Sequence, residues 1–152
     1  MELVTLLHES SEEILLAAGE AVERTHLKNY ERAGKDQTHQ RLKALFVLTT
    51  RGVQERNLGP MIAYAETIGR ERFAAGYDLS EVQTAFNVLE EAIWTRIMKV
   101  LPPAEYGQAL GLVATVLGGG KDALARTYVT LASKSKAGSL NLQSLFSGTE
   151  GV

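Results

Sequence analysis

Apolar residues along this chain recur at three- and four-residue spacing, and the alternation that marks strands is missing. The clearest run is Val82, Phe86, Leu89, Ile93, Ile97 and Val100, which share one helical face. Just before it, Asp78 and Glu81 make a capping box, each side chain satisfying a free backbone N–H of the other, and Tyr77 and Val82 can close a hydrophobic staple. Pro102 and Pro103 end this helix and open the next. There Tyr106, Leu110, Val113, Leu117, Gly120, Leu124, Tyr128 and Leu131 keep one stripe straight through Gly118-Gly119-Gly120. Each helical glycine costs roughly 1 kcal/mol relative to alanine. Because Gly120 falls on the apolar stripe, close approach by a neighbouring helix is the favoured reading, with a kink or break as the alternative.

Three helices precede these. The first spans Ser10 to Tyr30, after a short turn at Leu3–His8, with a capping box from Ser10 and Glu13 and a stripe of Ile14, Ala18, Ala21 and Thr25. Gly34 and Lys35 separate it from a second, capped by Asp36 and carrying Leu42, Leu45, Phe46, Thr49 and Val53 on one face. Asn57-Leu58-Gly59-Pro60 is a turn, and the helix it opens runs to Ala75, where Gly76 supplies a left-handed closing residue. The expectation is an all-α fold: an antiparallel bundle of about five helices, or a globin-like packing of them. The helical domain covers residues 1–136, and residues 137–152 read as a flexible tail whose Leu140, Leu142, Leu145 and Phe146 could dock.

At 152 residues the chain fits one domain that buries roughly 70% of its unfolded surface. A formal charge of −2 offers no basic face for nucleic acid. The absence of cysteine removes disulfides, thiolate catalysis and cysteine-ligated metals together. No apolar stretch approaches the roughly 20 residues that cross a bilayer. Glu9, Glu12 and Glu13 interrupt anything resembling a signal peptide. A soluble, cytoplasmic protein without membrane contact is expected.

Candidate chemistry is thin. Gly120-Lys121 echoes the end of a phosphate-binding loop, but Thr115 stands where its first glycine belongs, Asp122 replaces the Ser or Thr, and the run is mid-helix. His8, His26 and His39 lack the i, i+4 spacing of a helical metal site, so no metal is expected. His26 and His39 are the candidates for ligand binding, including haem ligation, against the simpler reading of hydrogen-bonded histidines. A phosphotransfer role for His39 fails because Lys43 is one residue too far along and the glycine is missing. Adjacent carboxylates such as Glu12/Glu13 and Glu90/Glu91 point about 100° apart on a helix and do not converge on a substrate. No nucleophile, acid and base assemble, so an enzyme is not expected, nor a cofactor.

Two residues stand out. Arg72 follows Met61, Ala65 and Ile68 on one face and needs a partner, because an unpaired buried charge is costly. Glu90 or Glu91 across the turn are candidates for a salt bridge that locks the two helices; anion binding is the alternative. Trp94 lies off the core stripe, in line with Asn87 and Glu90. Either the last helix or the tail covers it, or these three mark a partner or dimer surface, where tryptophan is enriched.

Glu71-Arg72-Phe73-Ala74-Ala75-Gly76-Tyr77, then Leu79-Ser80-Glu81-Val82 and Trp94, resembles the N-terminal sensory domain of RsbRD-type RsbT co-antagonists of bacterial stress signalling. A similar hairpin occurs in input regions of PucR-type transcriptional regulators. The resemblance is specific over 71–94 and extends loosely from Leu42 to Tyr128. It implies an all-α, commonly dimeric input module with relatives among globin-like domains that bind no haem. Arg72, Gly76, Tyr77 and Leu79 carry over as structural markers, and with Asp78 and Glu81 they form a clamp rather than a ligand site. In the co-antagonists a STAS output domain follows; here only a short tail does. The expectation is therefore a non-enzymatic signalling input or adaptor domain, acting as a homodimer on a separate regulatory protein of STAS or kinase type. The alternative is a helical sensor holding haem, another tetrapyrrole or a further apolar small molecule.

Overall fold

In a computed structural model describing residues 1–139, the helix expected over Ser10–Tyr30 is two helices, because His26 takes a left-handed backbone (φ 53°) and closes the first of them. The elements are α1 (Leu3–Glu9), α2 (Ser11–Thr25), α3 (Lys28–Ala33), α4 (Lys35–Glu55), α5 (Gly59–Ala74), α6 (Leu79–Val100) and α7 (Tyr106–Ser139), with a 3-10 turn at Pro103–Glu105. The protein is an all-α bundle, with seven helices among the described residues where five main ones were read. The turn expected at Leu3–His8 is the helix α1, which buries Leu6 and Leu7 completely. α7 runs past the expected start of the tail at 137, and residues 140–152, with Leu140, Leu142, Leu145 and Phe146, lie outside the described residues.

Three local expectations change. The buried stripe of α2 is Ile14, Leu15, Ala18 and Val22, whereas Ala21 is half-buried and Thr25 exposed. Larger side chains win because burying a Leu or Val gains about 1.5–3 kcal/mol. Ser10 does not cap α2 through its side chain. With α1 leading directly into α2, its backbone (φ −99°, ψ 9°) is not the extended form an N-cap adopts. Its hydroxyl instead accepts a hydrogen bond from Arg96 Nε at 2.9 Å, and Glu13 pairs with Arg96 Nη1 at 2.9 Å. The residues read as a capping box therefore hold α6 against α2. Likewise Gly34 (φ 86°) precedes α4, and Asp36 sits in its first turn rather than at the cap. There its charge still complements the helix dipole.

The close of α5 and the start of α6 follow the pattern closely. Gly76 is left-handed (φ 86°), its N–H bonds the Phe73 carbonyl at 3.1 Å, and the Tyr77 N–H bonds the Arg72 carbonyl at 2.9 Å. These two bonds form a Schellman closure. Asp78 is extended and the Asp78/Glu81 capping box is present, Glu81 accepting the Asp78 N–H at 3.1 Å.

Yet α5 and α6 do not pack as a hairpin. They scarcely touch, and α7 packs extensively against both. α7 is antiparallel to α6, since Tyr106 reaches Met98, Lys121 reaches Asn87 and Tyr128 reaches Tyr77. It is parallel to α5, since Gly119 lies by Leu58 and Gly69 by Thr127. Gly120 makes this insertion feasible: a Cβ there would lie 2.8 Å from Phe86 Cε2 on α6 and 2.9 Å from Met61 Sδ on α5. The glycine run thus leaves α7 unbroken and allows the close approach expected of it. Gly52 and Gly69 serve the same purpose against Val116 and Thr127 of α7. α6 also packs against α2, and its Phe86, Leu89, Ile93 and Ile97 are almost wholly buried in the bundle.

Candidate functional site

Tyr77 is the hub of the turn between α5 and α6. Two guanidinium groups lie over its ring, with Arg41 Cζ 5.5 Å and Arg72 Cζ 5.8 Å from the centroid. Cations over an aromatic ring are attracted by its quadrupole. Arg41 Nη1 also donates to the Tyr77 hydroxyl at 2.8 Å, and the Tyr77 backbone carbonyl accepts from the Tyr128 hydroxyl at 2.9 Å. α3 closes the other side. Asn29 Nδ2 donates to Glu81 Oε1 at 2.8 Å, and the Tyr30 hydroxyl donates to the Glu81 carbonyl at 2.8 Å. Tyr30 meets Tyr77 edge-on at 6.4 Å. Glu81 is buried, and the bonds from Asn29 Nδ2 and the Asp78 N–H meet the requirement that a buried carboxylate be hydrogen-bonded.

Arg72, Gly76, Tyr77, Asp78 and Glu81 therefore come together at one turn, but by a different route from the one expected. Arg72 does not reach Glu90 or Glu91. Its side chain is 14% exposed, stacks on Tyr77 and makes a 3.4 Å contact with the neighbouring Glu71. The insertion of α7 is the reason: Glu90 faces Lys121 of α7 at 3.7 Å, and Asn87 accepts from the same Lys121 Nζ at 3.1 Å. Burial raises the Tyr30 hydroxyl well above the ordinary tyrosine range against the opposing pull of Arg41 and Arg72, and it raises Tyr64 as well. Tyr128 is pushed up to about 12, again chiefly by burial. The Tyr30 and Tyr128 hydroxyls therefore stay protonated and donate at any ordinary pH.

A second group lies on the outer side of α6 and α7. Trp94 is 40% exposed and Met98, one turn on, 47%. Gly107, Gly111, Ala114 and Gly118 follow one another at three- and four-residue spacing on the α7 stripe that leads to Lys121, whose ammonium contacts Asn87 and Glu90 one to two turns from Trp94. A Cβ added at Gly107, Gly111 or Gly118 would meet nothing within 4 Å. Unlike Gly52, Gly69 and Gly120, these glycines have no close neighbour among the described residues that would account for them.

The two candidate histidines, distant in sequence, line one cavity of about 350 Å³ between α2, α3 and α4. His26 is 79% exposed and its Nδ1 lies 3.1 Å from Glu31 Oε1. A ring this exposed differs from the buried axial ligand of a haem pocket. Among the described residues no cluster of three or more His, Asp or Glu could hold a metal ion, and no helix is long and apolar enough to cross a membrane.

Sequence reasoning missed Arg41, Asn29 and Tyr128 in the clamp and Arg96 at Ser10. Tyr128 carried a usable signal: a tyrosine on a buried stripe needs a partner for its hydroxyl. Asn29 lay in a segment read as the end of a longer helix, and nothing in local spacing ties Arg41 or Arg96 to residues tens of positions away.

Neither a curated protein nor a solved structure matches the chain. A family model does match, over residues 8–133, a span that takes in the clamp, the α6–α7 face and the cavity alike. The chain accordingly belongs to the family described as the RsbT co-antagonist protein rsbRD N-terminal domain.

Proposed function

We propose that this signalling-regulator domain acts through helix–helix contacts made by the outer face of α6 and α7, first with a second copy of itself and then with a separate regulatory protein of STAS or kinase type. The observation that carries the reading is the coincidence of exposed Trp94 and Met98 with three α7 glycines that nothing among the described residues fills. Small residues let helix backbones approach closely, and a flanking tryptophan supplies contact area. The rim suits a partner of either charge, with Lys121, Glu90 and Glu91 in reach. The setting proposed is the bacterial cytoplasm, in stress signalling, and no chemical step is ascribed to the domain.

The clamp has a supporting part. Tyr128 of α7 is bonded to Tyr77, so a displacement of α7 at the interface is felt at a turn that α3, α4 and α5 also hold. Trp94 emission followed on dilution tests the reading. Association through this face gives a blue-shifted spectrum at high concentration that moves to the red as the dimer separates. A spectrum independent of concentration over the same range counts against it.

A further inference from the structure

The cavity between α2, α3 and α4 is built from omissions. Gly19 lies in the interior of α2, where glycine costs roughly 1 kcal/mol relative to alanine. A Cβ at Gly19 would touch nothing within 4 Å, so helix packing does not account for it, and the residue lines the cavity. Gly34, on the opposite wall, has the left-handed φ of 86° that side chains rarely adopt, and it too leaves open space. A volume of about 350 Å³ is at the small end of known ligand sites, which begin at roughly 300 Å³.

The base of the cavity is apolar. Val22, Tyr30 and Thr38 are buried there, and the Tyr30 hydroxyl is committed to the Glu81 carbonyl, which leaves its ring as what it can offer a ligand. The rim is charged and weakly held. Glu23 pairs with Lys35 at 3.5 Å and Glu31 with His26 at 3.1 Å, and the two basic side chains are 83% and 79% exposed. Exposed pairs of this kind contribute little. Either carboxylate can therefore exchange its present partner for a better-placed cation. Two carboxylates, Glu23 and Glu31, face one lysine ammonium, Lys35, so the rim favours a further positive charge.

We propose that this cavity binds a small organic cation, an ammonium group carried on a compact aromatic or branched apolar body. The body fills the space left by Gly19 and Gly34 against Val22 and Tyr30, and the ammonium displaces Lys35 or His26 from Glu23 or Glu31. The site is separate from the α6–α7 face and stands or falls independently of the homodimer reading.

Amide chemical shifts of the full chain, titrated with 2-phenylethylammonium and with phenylacetate of similar shape and opposite charge, test it. The cation is expected to shift the Gly19, Gly34 and Thr38 amides at millimolar concentration, and phenylacetate to bind at least about tenfold more weakly. Glu23→Gln combined with Glu31→Gln should weaken the cation by about tenfold or more. Gly19→Leu fills the cavity and should abolish the shifts while melting no lower than the parent, because leucine is the better helix former. Three results overturn the proposal: no shift at these amides with the cation, equal binding of phenylacetate, or unchanged binding in a folded Gly19→Leu protein.

Discussion

The Tyr128 hydroxyl donates to the backbone carbonyl of Tyr77 at 2.9 Å, fastening the last helix to the turn between α5 and α6 from 51 residues away. The acceptor belongs to the residue whose ring Arg41 and Arg72 both approach, so one short turn collects contacts from α3, α4, α5 and α7. A turn fixed from so many sides is a rigid point, and α7 is the element that joins it to the outer face.

Loss of that bond is measurable. Tyr128→Phe keeps the ring, including its edge-on contact with Phe73 at 5.4 Å, and removes one hydrogen bond. It should lower stability by about 1 kcal/mol in urea denaturation.

The same hydroxyl predicts an alkaline effect. Burial holds it up to about 12 against an ordinary 10.0, so between these values the folded chain keeps a proton that the unfolded chain gives up. Stability from this group is complete below pH 10 and is lost as pH rises toward 12. The melting temperature should fall over that window, and less steeply in Tyr128→Phe. Some slope should remain, because Tyr30 is raised in the same direction.

Arg96 and Ser10 should be energetically coupled. Arg96→Ala leaves the buried Ser10 hydroxyl without the donor it now accepts from, and removes the Glu13 ion pair. A cost of about 1–2 kcal/mol is expected for Arg96→Ala. A double-mutant cycle with Ser10→Ala should give a coupling of at least about 0.5 kcal/mol. Strict additivity would mean that the contact between α2 and α6 contributes nothing in solution.

The glycines of α7 should separate into two classes. Gly120→Val drives atoms into buried Phe86 and Met61 and should destabilise by about 1–3 kcal/mol. Gly118→Ala meets open space and should stabilise by about 0.5–1 kcal/mol through helix propensity. Thermal melts of both variants distinguish a packing glycine from one left free for an outside partner.

Much of the helical outline was legible because apolar spacing and cap chemistry act locally. The start of α6 is the best case: Asp78, Glu81 and Gly76 specify their own backbone within a few residues. Ser10 and Glu13 carried the same pattern and were used otherwise, because α1 occupied the space before α2 and Arg96 came within reach. The partner of Arg72 was misplaced for a tertiary reason. Adjacency in sequence and a short turn predict that α5 and α6 pack together, and nothing local says that α7 will come between them. Gly120 is a trace of that insertion in the sequence, a glycine on a buried stripe that needs a close neighbour. The His26 break was hidden because histidine does not announce a left-handed residue as glycine does.

Sedimentation equilibrium of the parent chain and of Gly111→Arg tests the central claim most directly. A Cβ at position 111 meets nothing within 4 Å among the described residues, and arginine replaces a poor helix former, so the variant should fold at least as well as the parent. The parent should sediment as a dimer at high micromolar concentration and Gly111→Arg as a monomer. A parent that stays monomeric, or a variant that dimerises as strongly as the parent, would contradict the assignment of the α6–α7 face as the working surface of this domain.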